Sequence, residues 1–82
     1  MLVNVINTRA ESDGEDNAVL FSGDMEETER NAYDVAVLIY ENAEVDDACW
    51  YLVETGERFA EKIQSYLSEM SEELAREMWF VQ

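Results

Sequence analysis

Twenty residues of this 82-residue chain are Asp or Glu and only five are Lys or Arg, a net charge of 5 − 20 = −15. A carboxylate is too costly to bury without a partner, so nearly all of the twenty must end at the surface. The rest of the chain must then supply the whole core. It has the means, because 48% of the residues are hydrophobic and 11% aromatic. An acidic segment that stays disordered is poorer in both. The expectation is one folded domain, residues 1–82, near the lower size limit for folding without staples. The single cysteine allows no intramolecular disulfide, and with no histidine present a structural zinc site lacks its ligands.

The same charge constrains the partners. Domains of this size ordinarily carry a net charge of magnitude roughly 2 to 8, and self-repulsion lowers the stability of a compact chain. Nucleic acid and anionic membranes would both repel it, so neither is expected as a direct partner. The expected partner is a basic protein surface, such as a nucleic-acid-binding protein or complex presents. Met1 to Asn7 has no basic start and no long apolar stretch, so no secretory signal is expected there. The longest apolar run, Val35 to Tyr40, is too short for a bilayer. A lone thiol, Cys49, suits a reducing interior. The expected compartment is the cytoplasm.

Along the chain, Leu2 to Thr8 alternates in period two, with Val3 and Val5 on one side, which predicts a strand. Arg9 to Asn17 is polar and acidic and reads as a loop. Ala18 to Phe21 predicts a second strand, ended by Ser22-Gly23. Together they predict an N-terminal two-stranded antiparallel hairpin, which needs helices packed on one face to be stable. Asp24, three residues before Glu27, forms a variant of the capping box, and Met25, Ala32, Ala36, Tyr40 and Ala43 recur at helical spacing. A helix is expected from about Met25 to Ala43. Val35 to Tyr40 is apolar on every side and rich in strand formers, so a strand over 34–40 stays open.

Val45, Ala48, Cys49, Leu52 and Val53 fit the i, i+3, i+4, i+7, i+8 pattern and predict a short second helix ended by Gly56. Trp50 and Tyr51 flank that stripe and either widen the core contact or mark an interaction surface. Phe59, Ile63, Leu67, Met70, Leu74 and Met78 then step by four or three residues. They predict a long last helix from Glu57 to about Phe80, with Ser71 as the place for a kink or a division. Met78-Trp79-Phe80-Val81 is apolar enough to dock on the core or on another subunit, so a homodimer stays open. The expected fold class is α+β: the hairpin packed on about three helices, the last one long.

Few motifs carry chemistry. Read from Glu11 as an EF-hand loop, the acidic stretch to Asn17 places Asp16 at position 6, which needs glycine, and Ser22 at position 12, which needs glutamate. The match fails and leaves a solvated acidic turn. Pairs such as Asp46-Asp47 or Glu72-Glu73 arise by chance among twenty acids. Without histidine no Ser/His or Cys/His arrangement exists, and no glycine-rich phosphate loop is present. Cys49 on its apolar stripe reads as core. No enzyme activity, catalytic residue, metal or cofactor is expected.

Placed on helices, the acids carry more information. Glu27, Asp34 and Glu41 recur every seven residues on one face of the first helix, and Glu61, Glu69, Glu72, Glu73 and Glu77 lie away from the apolar stripe of the last. Only Arg30, Arg58, Lys62 and Arg76 are available nearby to neutralise them. The partner-binding surface expected from the sequence is Glu26, Glu27, Asp34, Glu41, Glu44, Asp46, Asp47, Glu54, Glu57 and Glu61, with Trp50 and Tyr51 as apolar anchors.

In size, charge and scarcity of basic residues the chain resembles the small phage-encoded inhibitors that mimic DNA, of the anti-CRISPR and anti-restriction kind. The resemblance covers the whole chain, rests on no signature motif and assigns no residue. It implies a folded acidic surface occupying the nucleic-acid groove of a defence complex, in the cytoplasm of an infected bacterium. The alternative is an acidic antitoxin or chaperone-like protein that binds through its apolar C-terminus. A solvated halophilic surface is a third reading, and it requires salt on the order of molar for folding, far beyond ordinary screening.

Overall fold

In a computed structural model, residues 1–9, 18–45 and 49–81 are described. The elements are β1 (Leu2–Arg9), β2 (Ala18–Asp24), α1 (Glu29–Val45), β3 (Cys49–Glu54), α2 (Glu57–Met70), α3 (Glu72–Arg76) and β4 (Met78–Val81). The class is α+β, but its sheet is not the expected two-stranded hairpin. Four strands form one mixed sheet in the order β2-β1-β3-β4. β1 pairs antiparallel with β2 on one side and with β3 on the other, while β3 and β4 run parallel.

Strand alternation sorts the sheet into two faces. Val3 and Val5 of β1, Tyr51 and Val53 of β3 and Met78 of β4 are buried and join one core with Ala32, Val35, Ala36, Ile39, Phe59, Ile63, Leu67, Leu74 and Ala75. The helices therefore cover one face of the sheet and leave the other open. A bulge opposite Val5 and Ile6 shifts the pairing from Phe21 to Val19. The extra residue, Leu20, thereby reaches the core beside Phe21. A small polar network sits at the same level. Asn7 Nδ2 and the Tyr51 hydroxyl both donate to Asn42 Oδ1, at 2.6 and 2.9 Å.

Two expected helices are corrected. The short helix over 45–53 does not form: Cys49 to Glu54 is strand β3, because Tyr51 and Val53 fit a period of two as well as Val45 and Leu52 fit a helical one. The partner strand β1 settles which period is used. Gly56 consequently begins α2 as its N-cap instead of ending a helix. The long last helix is also incorrect. Ser71 is both the C-cap of α2 and the N-cap of α3, its hydroxyl accepting from the Leu74 amide at 3.2 Å. α3 is short, and Met78 to Val81 leaves the helical path to become β4.

The open choice at 34–40 resolves as helix within α1. Its start differs from the expected one: Asp24 ends β2, and Thr28 performs the capping, with its hydroxyl accepting from the Asn31 amide at 3.1 Å. Asn31 Nδ2 in turn donates to the Glu26 carbonyl at 2.8 Å. Among the described residues no helix is long and apolar enough to cross a membrane.

Candidate functional site

The helical layer turns its acids away from the sheet. In α1 the buried stripe is Ala32, Val35, Ala36 and Ile39, and at 100° per residue Asp34 and Glu41 fall on the opposite side, with Glu44 flanking them. In α2 the buried stripe is Phe59, Ala60, Ile63 and Leu67, and Glu61 and Glu69 face outward. Glu26, Glu27, Glu57, Glu72, Glu73 and Glu77 are exposed as well. Along α1, Asp34, Glu41 and Glu44 are separated by about 10 and then 4 to 5 Å of helix axis.

Basic groups neutralise little of this. Arg30 Nε lies 3.1 Å from Asp34 Oδ1, Lys62 Nζ 3.7 Å from Glu29 Oε1 and Arg76 4.0 Å from Glu72 Oε2. All three pairs are solvent-exposed to a degree that makes them weak. α1 has no basic residue in its last turn, where Glu44 faces the negative end of the helix dipole. That placement costs stability.

Between the start of α1 and the length of α2 runs an open groove of about 750 Å³, lined by Glu27, Glu29, Arg58, Glu61, Lys62, Ser65, Tyr66 and Glu69. The Tyr66 hydroxyl donates to Glu29 Oε2 at 2.8 Å, and its ring meets Tyr33 edge to face at 5.6 Å. The hydrogen bond to Glu29 raises the pKa of the phenol above its ordinary value, and partial desolvation and the charges of Glu29 and Glu69 push it the same way. Among the described residues no cluster of His, Cys, Asp and Glu has the geometry to hold a metal ion.

The residues expected at the binding surface fall into four places. Glu26, Glu27, Asp34, Glu41, Glu44, Glu57 and Glu61 belong to or border the helical layer. Trp50 and Glu54 lie on the open sheet face, turned away from that layer, so Trp50 cannot anchor a partner docked on the helices. Tyr51 is 1% exposed and is core. Its expected role as a surface anchor is incorrect, because alternation in β3 turns it inward toward Asn42. Asp46 and Asp47 lie outside the described residues, as do the acidic stretch from Glu11 to Asn17 and the side chain of Cys49.

Two features were missed from the sequence. Glu29 and Glu69 join Glu27 and Glu61 around the groove only because α1 and α2 pack side by side. The second is the open face of the sheet. Register places Val19 beside Ile6, Ile6 beside Leu52, and Leu52 beside Trp79, an apolar row across all four strands. Trp50 packs on Trp79 with ring centroids 6.1 Å apart. Period-two spacing in Trp50, Leu52 and Glu54 and in Trp79 and Val81 was the available signal. No protein-family model, no curated protein and no solved structure matches the chain.

Proposed function

We propose that this protein is a non-catalytic inhibitor that presents its acidic helical layer to the basic nucleic-acid-binding groove of a bacterial defence complex, of CRISPR-Cas or restriction type. The observation that carries the reading is charge per length. The molecule measures 33 × 24 × 18 Å and bears a net −15. Duplex DNA of the same 33 Å length carries about 19 negative charges. A basic groove shaped for about one helical turn of duplex thus meets a body of similar length, and the helical layer alone, with twelve acids against four basic residues, carries 4 − 12 = −8, close to the ~10 charges of one DNA strand over that length. Steering by this field makes association fast and salt-sensitive.

The test is inhibition and binding assayed with a layer-reversed variant carrying Asp34→Lys, Glu41→Lys, Glu44→Lys and Glu61→Lys. All four positions are exposed, so the variant is expected to fold and to lose inhibition, and the wild-type complex is expected to dissociate with salt or competing duplex DNA. Full inhibition by the folded variant would overturn the proposal. The antitoxin or chaperone-like reading is favoured by one observation, the exposure of Trp79 and Val81 in the C-terminal strand. Truncation after Met78 cannot test it, since it removes most of β4 and the hydrogen bond from the Thr55 amide to the Val81 carbonyl. Trp79→Ser is the cleaner probe: a partner lost with this variant and retained by the layer-reversed one would favour that second reading.

A further inference from the structure

A surface that binds by charge alone gains speed of association more than affinity, and tight interfaces add a few aromatic or arginine anchors near their centre. The described residues contain two aromatic pairs, Trp50 with Trp79 on the sheet face and Tyr33 with Tyr66 on the helical layer. Only the second lies among the acids. Tyr66 lines the groove between α1 and α2, and Tyr33 beside it is 46% exposed. Glu29 is already engaged there, with Lys62 at 3.7 Å and the Tyr66 hydroxyl at 2.8 Å. Glu61 and Glu69 also line the groove and have neither an ion pair nor a hydrogen bond among the described residues. Both lie on one row of α2, with Ser65 between them at four-residue spacing. The charges of Glu29 and Glu69 both reach the Tyr66 phenol, so ring and carboxylates share one end of the groove. Arg58 bounds the other end, about 16 Å of helix axis from Glu69.

We propose that the Tyr66 end of this groove receives a guanidinium side chain, an arginine of the basic partner surface, as the anchor of the acidic layer. The inference rests on the inhibitory reading for its partner and names the side chain that the layer selects. An aromatic ring beside unpaired carboxylates matches that group on two counts. A guanidinium stacks on aromatic faces and bonds carboxylates through two parallel N–H groups, whereas an ammonium is a strongly hydrated point charge. Glu69 and Tyr66, three positions apart on α2, are close enough to meet one side chain together. The groove is open to solvent, and its volume of about 750 Å³ holds a long side chain with room to spare. Its charge has the matching sign, since four carboxylates against Arg58 and Lys62 leave 2 − 4 = −2.

The test uses hexa-arginine and hexa-lysine, probes of equal charge, titrated calorimetrically into the full chain at low salt. Wild type is expected to bind the arginine peptide about two- to fivefold more tightly, the worth of an exposed ring–guanidinium contact. The ring resonances of Tyr66 are expected to shift as it binds. Tyr66→Leu, with circular dichroism as a check on folding, is expected to bring the two peptides level. Glu69→Gln, at an exposed position, is expected to reduce the preference as well. Glu54→Gln removes the same charge from the sheet face and is expected to keep the preference in full. Equal affinity for both peptides in wild type, or a preference that survives both Tyr66→Leu and Glu69→Gln, would overturn the proposal. So would a preference lost equally in Glu54→Gln, which makes it a property of net charge. The titration needs no defence complex, so the two readings fail separately. A folded layer-reversed variant that still inhibits overturns only the inhibitory one, and level peptides overturn only the arginine site.

Discussion

At the scale of single residues, Asn42 of α1 and Tyr66 of α2 show how the fold uses polar groups. Asn42 accepts from both Asn7 and the buried Tyr51. Asn42→Ala removes the shared acceptor and is expected to lower unfolding free energy by about 2 kcal/mol, against about 1 kcal/mol for Tyr51→Phe. Urea denaturation of the two variants measures the difference, and equal losses would argue against a shared acceptor. Tyr66 is the opposite case, an exposed phenol tied to Glu29. Its raised pKa means that the neutral form is favoured in the folded chain. The associated stability is present below the ordinary tyrosine range and is lost as pH rises through the folded value. Glu29→Gln should bring the phenol back toward its ordinary pKa, read as the phenolate absorbance in an alkaline titration.

At the scale of elements, the helix ends carry the clearest predictions. Ser71→Ala removes the cap of α3 and should cost about 1 kcal/mol, seen as a lower urea midpoint. Glu44→Lys should do the reverse, adding about 0.3–1 kcal/mol at low ionic strength by placing a cation at the C-terminal end of α1. The same substitution should weaken docking on a basic surface. A variant that gains stability and loses binding is the signature of an acid retained for function. If Glu44→Lys is stabilising yet binds unchanged, the acid belongs outside the contact.

How much of these elements the sequence disclosed depended on how far away the deciding partner lay. The alternation of Val3 and Val5 and the stripe of Phe59, Ile63 and Leu67 are local patterns: the first produced the expected strand, the second a helix that ends at Met70 and not near Phe80. α1 formed across Val35 to Tyr40 despite its strand formers, because Ala32, Ala36 and Ile39 give it a continuous face for the core. Residues 45–53 misled, since a short apolar segment fits both periods. Met78 to Val81 misled in the same way by extending a helical stripe past Ser71. In both segments the pairing partner is distant in sequence, β1 for β3 and β3 for β4.

For the whole molecule, charge sets the response to salt. Uncompensated acids repel one another in the folded state, so thermal stability should rise with added salt. Most of the gain is expected by about 0.15 M, where screening already acts over ~8 Å. A thermal melt series in NaCl tests this. A chain that folds only at salt on the order of molar would instead be a halophilic one, and the helical acids would then need no partner.

The sequence by itself determined the sign and size of the molecular field, the absence of histidine chemistry and of disulfides within the chain, and the local patterns behind β1, α1 and α2. These follow from side-chain chemistry and short-range periodicity, which need no knowledge of neighbours. Only the tertiary structure decided that residues 49–54 are a strand, that Tyr51 is core while Trp50 is surface, and that Trp79 meets Leu52 across the sheet. It also decided that the helical acids and the apolar sheet face point opposite ways. Those outcomes depend on register between segments far apart in sequence. A one-residue shift in register exchanges the two faces of a strand, and nothing local in the chain fixes it.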